Sequence, residues 1–125
     1  MIGKAKSNAS LGKTLEYLEK ENSILFYANN LSGDNIDDYR MQLEDLQQCY
    51  RGYGKQLLLH AILSPTIEDG QRLDKATWAK MAEMYLQEMK LYDNYLSIGF
   101  IHKDKEHTNA HLLVSKININ DYNLF

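Results

Sequence analysis

Three of the four histidines in this sequence lie within ten residues of one another, between His102 and His111. Asn109 and His111 are two residues apart, so on a β-strand their side chains point to the same face. A short polar turn separates this segment from the strand that ends near His102, and pairing of the two strands brings His102 close. Imidazole nitrogens and an amide oxygen bind Mg²⁺, Mn²⁺, Ni²⁺ or Zn²⁺. We therefore predict a divalent-metal site formed by His102, Asn109 and His111.

Two neighbouring polar residues are candidates for an additional part of this site. His107 has the same strand parity as Asn109, so it is a candidate fourth ligand or a contact to a phosphate. Asp104 is a candidate partner that orients the ligands through hydrogen bonds. His60 lies in the apolar run of residues 57–63, and we expect a hydrogen-bonded core histidine there rather than a ligand. The competing interpretation of the whole cluster is a polar hairpin turn that binds no metal.

The composition is that of an ordinary globular protein. Hydrophobic residues make up 44% and charged residues 25% of the 125 positions, which fits a single domain covering residues 1–125. The single cysteine, Cys49, cannot form an internal disulfide, which favours a reducing compartment and predicts the cytoplasm. No apolar run approaches the roughly 20 residues of a membrane span, and residues 1–4 lack the apolar stretch of a signal peptide.

The charge balance gives no direct support to nucleic-acid binding. The formal net charge is −3 and the sequence pI is about 5.8, whereas domains that bind nucleic acids are more often basic. Basic residues can still act locally, and several lie near the start of the chain or near the histidine-rich segment. The candidate DNA contacts are Lys4, Lys6, Lys13, Lys103 and Lys105.

Hydrophobic periodicity predicts the element order β-α-β-α-β-α-β-β. Ser10 is expected to cap the first helix, Asp34 or Asn35 the second, and Asp74 the third. We predict strands over residues 1–6, 24–27, 56–64, 95–103 and 110–119, and helices over residues 10–20, 35–49 and 75–89. The last two strands are joined by a short turn and must be antiparallel. The expected fold is α+β, with helices packed on one face of a largely antiparallel central sheet.

Residues 101–115, which carry the predicted metal ligands, resemble the third motif of the relaxase/mobilization nuclease family. These are His-hydrophobic-His endonucleases. The form that the segment resembles belongs to mobilizable elements of gut Bacteroidetes and has the pattern His-x-Asp-x-x-His-x-His-hydrophobic-His before an apolar strand. Residues 59–65 resemble the family's His-x-x-Leu-Ser strand. Residues 1–4 and 14–18 resemble its start and its first motif. The resemblance therefore spans nearly the whole chain, in order.

The resemblance implies a DNA relaxase that acts at the transfer origin of a plasmid or other mobilizable element. In such enzymes the first-motif tyrosine attacks a phosphodiester of single-stranded DNA, which forms a 5′-phosphotyrosyl link and frees a 3′-hydroxyl. Motif position assigns this role to Tyr17. At about 100° per residue, Tyr17 lies roughly 120° from the stripe of Leu11, Leu15 and Leu18, off the core side. An accessory mobilization protein and a coupling protein are the partners that the resemblance implies, besides single-stranded DNA.

The sequence departs from the family pattern at Asn109, where a histidine is usual. An amide oxygen favours hard cations over soft ones, so we expect a weaker site biased towards Mg²⁺ or Mn²⁺. The chain also ends soon after the last motif, as expected for a trimmed piece or a short stand-alone product. The alternatives are a catalytically degenerate DNA-binding relative, a replication-initiator nuclease of the same fold, and a small interaction module whose histidine-rich hairpin is only a turn.

Overall fold

The computed structural model describes the backbone of residues 2–8 and the full residues 11–19, 23–103 and 107–124. It contains five strands: β1 Ile2–Asn8, β2 Ser23–Asn29, β3 Leu58–Ser64, β4 Ser97–Lys103 and β5 Thr108–Ser115. Its helices are α1 Leu11–Leu18, α2 Ile36–Cys49, α3 Ile67–Arg72 and α4 Lys75–Glu88. No helix in the described ranges is both long and apolar enough to span a membrane.

The five strands form one sheet in the order β1-β3-β5-β4-β2, and each neighbouring pair is antiparallel. β5 lies at the centre between β3 and β4, while β1 and β2 form the two edges. The predicted α+β class and the antiparallel pairing of the last two strands are confirmed. This order matters for function because it places the histidine-bearing strands β3, β5 and β4 side by side.

Side-chain caps begin the helices at the positions that residue chemistry favours. The side chains of Asn35 and Asp74 accept hydrogen bonds from the backbone N–H groups of Asp38 and Thr77, at 2.9 and 2.8 Å, so these two predicted caps are confirmed. The short helix α3, capped by Thr66, was not predicted. The predicted cap at Ser10 lies outside the described residues.

Helices cover both faces of the sheet, so the prediction that they pack on one face is wrong. Leu15 of α1 and Leu43 of α2 pack with Leu58 in one core cluster, while Trp78 of α4 packs with Leu59 in another. Alternate residues of a strand point to opposite faces. The nearly continuous apolar run at β3 therefore needs an apolar cover on each side.

The chain leaves the sheet earlier than expected at the end of β5. The last strand was predicted over residues 110–119 and instead covers Thr108–Ser115. Beyond it, the backbone N–H of Lys116 still donates to the Leu57 carbonyl at 2.8 Å, and Ile117 forms an isolated bridge with Leu124. The polar residues near 120 make a turn that returns the chain to the sheet end.

Candidate active site beneath the first helix

Strand register brings the predicted ligands onto one face of the sheet. His102 in β4 lies directly across from Asn109 in β5, as the strand parity predicted. His111 follows two residues later in β5, so it shares that face. His60 in β3 pairs with Leu113, which has the parity of His111, and it therefore lies on the same face. A diagonal row of three imidazoles thus crosses the three central strands.

The His111 ring is in contact with the rings of both His102 and His60. The ring centroids of His102 and His111 are 4.1 Å apart, and those of His60 and His111 are 5.1 Å apart. His60 Nε2 and His111 Nδ1 share a hydrogen bond of 2.8 Å, and both residues are only 5% exposed. His60 is therefore the buried, hydrogen-bonded histidine that we predicted. Its partner, one of the predicted metal ligands, was not foreseen.

The end of helix α1 fixes the orientation of His102. His102 Nε2 lies 3.1 Å from the backbone carbonyl oxygen of Leu18, the last residue of that helix. A carbonyl only accepts, so Nε2 carries the proton of this bond, which leaves Nδ1 as the nitrogen available to bind a metal ion. Hydrogen bonding of one ring nitrogen to a backbone carbonyl is the usual way in which a metal-binding histidine is oriented. The bond also satisfies one of the free carbonyls at a helix end.

The environment of His111 keeps its ring neutral. Burial, followed by the neighbouring imidazoles of His102 and His60, lowers the pKa of His111 to about 3. A cationic imidazole is disfavoured there because it loses solvation and faces two other titratable rings. Neutral imidazole is the form that binds metal ions. When His111 Nδ1–H donates to His60, the second nitrogen of His111, Nε2, retains its lone pair.

The donor set suits a divalent cation of borderline or hard character. His102 Nδ1 and His111 Nε2 are the ring nitrogens not used in these hydrogen bonds, and Asn109, paired with His102, carries an amide oxygen. In the part of the chain that is described, no group of three or more His, Cys, Asp or Glu side chains is arranged to hold a metal ion. The predicted ligand set contains only two such residues and an amide, so its metal role stays a prediction.

Tyr17 lies over the centre of the histidine row. Its ring centroid is 6.2 Å from the His60 ring, 6.2 Å from the His102 ring and 6.3 Å from the His111 ring, edge-on in each case. The residues that anchor this helix on the predicted stripe are Leu11, Leu15 and Leu18, all buried. Tyr17 itself is 47% exposed. The Tyr17 ring therefore lies beside the histidines and is also accessible to solvent; its position off the core stripe predicted the accessibility.

The structure also describes the other predicted residues Lys103, His107 and Lys13. Lys103 pairs with Thr108, one residue further along the strands, so its side chain belongs to the opposite face of the sheet. His107 is exposed and precedes β5. Lys13 is exposed on α1, the helix that carries Tyr17. Among the lysines predicted to contact DNA, it is the one nearest to Tyr17 in the sequence.

The remaining candidates are described in part or not at all. The backbone of β1 pairs Lys4 with Ile62 and Lys6 with His60. Both lysines therefore belong to the edge strand next to β3, the strand that carries His60. Asp104 and Lys105 lie outside the described residues. Their proposed contributions therefore remain predictions.

Comparison with known proteins gives one family match. A family model described as Relaxase: MobA/VirD2-like, nuclease domain, matches residues 11–125. This region includes Tyr17 and the strands that carry the three clustered histidines. No curated protein and no solved structure matches the chain.

Proposed function

The chain belongs to the relaxase family of MobA/VirD2-like nuclease domains, and on that premise we propose that it nicks single-stranded DNA at a transfer origin for conjugative transfer. Membership supports DNA nicking in general. The finer proposal is that Tyr17 attacks the phosphodiester and forms a 5′-phosphotyrosyl intermediate. The observation that carries it is the position of the Tyr17 ring, 6.2 to 6.3 Å from all three imidazoles.

The proposed reaction is a transesterification in which bonds are exchanged one for one. A new P–O bond forms to Tyr17 Oη, the P–O bond to the 3′ oxygen breaks, and the phenolic proton is lost. The 3′ oxygen takes up a proton and becomes the free 3′-hydroxyl. A phosphotyrosyl ester replaces a phosphodiester, so the strand can be rejoined without a nucleotide cofactor.

We propose that His102, Asn109 and His111 hold a divalent metal, with Mg²⁺ or Mn²⁺ preferred because one donor is an amide oxygen. When bound, the metal would act as a Lewis acid on the non-bridging phosphate oxygens. His60 is a positioning residue in this proposal, since it contacts His111 rather than the substrate. The Leu18 carbonyl has the same role for His102. Burial of His60 and His111 limits the motion of the His111 ring.

The wider context of the proposal comes from family membership. The DNA strand would reach the histidine row past α1, where Lys13 is exposed. An accessory mobilization protein and a coupling protein are the proposed partners, and the cytoplasm is the proposed location. Because the net charge is −3, we expect DNA binding to depend on local contacts and to weaken steeply with salt.

Incubation of the protein with labelled single strand from the transfer origin of its own element, in the presence of Mn²⁺, tests the proposal. We expect a covalent adduct that the Tyr17→Phe variant does not form, because that variant lacks the attacking oxygen. Tyr53→Phe is the matched control, since Tyr53 is 99% exposed and lies in the loop between α2 and β3. An adduct that persists in Tyr17→Phe would exclude Tyr17 as the nucleophile.

A second candidate function is DNA binding without cleavage, by a catalytically degenerate relative. The observation in its favour is Asn109, which stands where the family pattern has a histidine. The same assay separates the two functions: a degenerate relative binds the strand and forms no adduct with Mn²⁺. A replication-initiator nuclease, the third candidate, would form the adduct on a replication origin in preference to a transfer origin.

A further inference from the structure

A cleft of about 330 Å³ opens on the sheet face opposite the histidine row. It lies where β2, β4 and β5 meet the segment that joins α3 to α4. Ile24, Ile101 and Leu73 form apolar walls together with the side chain of Trp78. The cleft is at the lower end of the volume range for small-molecule sites, which begins near 300 Å³.

The rim of the cleft is polar and carries two cations. Lys75 and Lys103 line it, together with the amide of Gln71 and the hydroxyl of Thr108. Within the described ranges, neither lysine forms an ion pair. The carboxylate of Asp74, also on the rim, accepts the backbone N–H of Thr77 at 2.8 Å as the cap of α4. The rim is therefore suited to an anion, with an amide and a hydroxyl available for hydrogen bonds.

The cleft and the proposed active site lie on opposite faces of the same part of the sheet, at strands β4 and β5. His102 pairs with Asn109, and the next residue pair of the same two strands is Lys103 with Thr108. Successive residues alternate between the faces of a sheet. The side chains of the first pair therefore lie on the face of the histidine row, and those of the second pair lie on the face of the cleft. Gly70 of α3 keeps this end compact, since a Cβ there would lie 3.1 Å from the Thr108 carbonyl oxygen.

We propose that this cleft binds one nucleotide of the DNA strand, adjacent to the nucleotides held at the histidine row. The base lies between the apolar walls, and the phosphate lies against Lys75 and Lys103. The inference rests on the proposed function for the identity of the ligand. It assigns the opposite face of the sheet to substrate recognition, and it predicts that recognition extends beyond the reacting phosphate.

Trp78 provides a direct probe, because it is the single tryptophan of the chain and lines the cleft. The experiment titrates the full chain with an oligo(dT) of about 12 nucleotides and with an abasic strand of equal length, and records Trp78 emission and Kd. We expect oligo(dT) to change the emission and to bind roughly tenfold more tightly than the abasic strand. An Ile24→Phe variant, which narrows the cleft, is expected to lose most of this difference.

The lysines are tested through the salt dependence of binding. Lys75→Gln and Lys103→Gln should each reduce the slope of log Kd against log salt by about 0.7. Lys80→Gln is the matched control, because Lys80 is an exposed lysine on the same helix as Lys75 and does not line the cleft. If Ile24→Phe does not fold, the salt dependence of the two lysine variants still tests the proposed nucleotide site.

Two results would overturn the inference. One is equal binding of oligo(dT) and the abasic strand with no change in Trp78 emission. The other is a salt slope in the Lys75 and Lys103 variants equal to that of the Lys80 control. If the Tyr17 adduct forms while either result is obtained, the cleft proposal alone fails. If no adduct forms but Trp78 responds to oligo(dT), DNA binding in the cleft stands and the nicking proposal fails.

Discussion

Replacement of His60 tests the architecture of the proposed metal site without touching a proposed ligand. Its Nε2 lies 2.8 Å from His111 Nδ1, and both residues are 5% exposed. His60→Leu removes this hydrogen bond and leaves a buried nitrogen of His111 without its partner. Such an unsatisfied buried group costs about 1–3 kcal/mol in the free energy of unfolding.

The larger effect is expected on metal affinity. Residues that orient a metal ligand by a hydrogen bond contribute about 10- to 100-fold to affinity, so the Kd for Mn²⁺ should rise by that factor in His60→Leu. His60→Gln retains a side chain that can donate or accept, and it should recover part of the loss. Isothermal titration calorimetry measures both values, and thermal unfolding of the metal-free proteins reports whether each variant is folded.

A purely structural role for His60 predicts a different pattern. In that case both variants would unfold at lower temperature and bind Mn²⁺ with the affinity of the original chain. Nitrogen-15 NMR of the imidazoles adds an independent readout, since the proposed orientation requires the proton of His111 on Nδ1. Unchanged Mn²⁺ affinity in a folded His60→Leu variant, or a His111 proton on Nε2, would refute the reasoning.

Three further predictions follow from particular residues. Asn109→Ala should weaken Mn²⁺ binding by at least about tenfold, and tight Zn²⁺ or Ni²⁺ binding that survives this change would contradict the ligand assignment. Hydrogen bonds from Thr77 lower the pKa of Asp74. The stabilising effect of the Asp74 carboxylate is therefore present above the ordinary pKa near 4 and is lost as pH falls through the lowered value. The thermal unfolding midpoint of Asp74→Asn should depend less on pH across that acidic range, and a pH dependence equal to that of the original chain would contradict this prediction. Leu15→Ala, at a fully buried position, should cost about 2–5 kcal/mol in urea unfolding, whereas the exposed control Glu16→Ala should stay within about 0.5 kcal/mol.

The sequence was sufficient to predict features that depend on local chemistry. Asn35 and Asp74 begin helices because their side chains bond nearby backbone N–H groups, and such caps are visible in the sequence. The stripe of leucines in α1 determined which side of that helix is buried, and hence that Tyr17 is accessible. Strand parity and a short turn were enough to place His102 opposite Asn109.

Features that depend on the order of strands in the sheet were not predictable in the same way. His60 meets His111 because β3 is the neighbour of β5, although 51 positions separate the two residues. No local pattern specifies that neighbour. The apolar run at β3 did indicate helices on both faces, since a strand that is buried on both sides needs an apolar element packed on each face of the sheet. The cleft beside Lys103 depends on the same long-range arrangement.

Mass spectrometry of the protein–DNA adduct tests the central proposal most directly, because the chain has nine tyrosines and peptide mapping distinguishes among them. After reaction with transfer-origin single strand and Mn²⁺, followed by nuclease and protease digestion, we expect the residual nucleotide on the peptide that contains Tyr17, attached through a 5′ phosphate. A nucleotide on any other tyrosine, or attachment through a 3′ phosphate, would contradict the proposal.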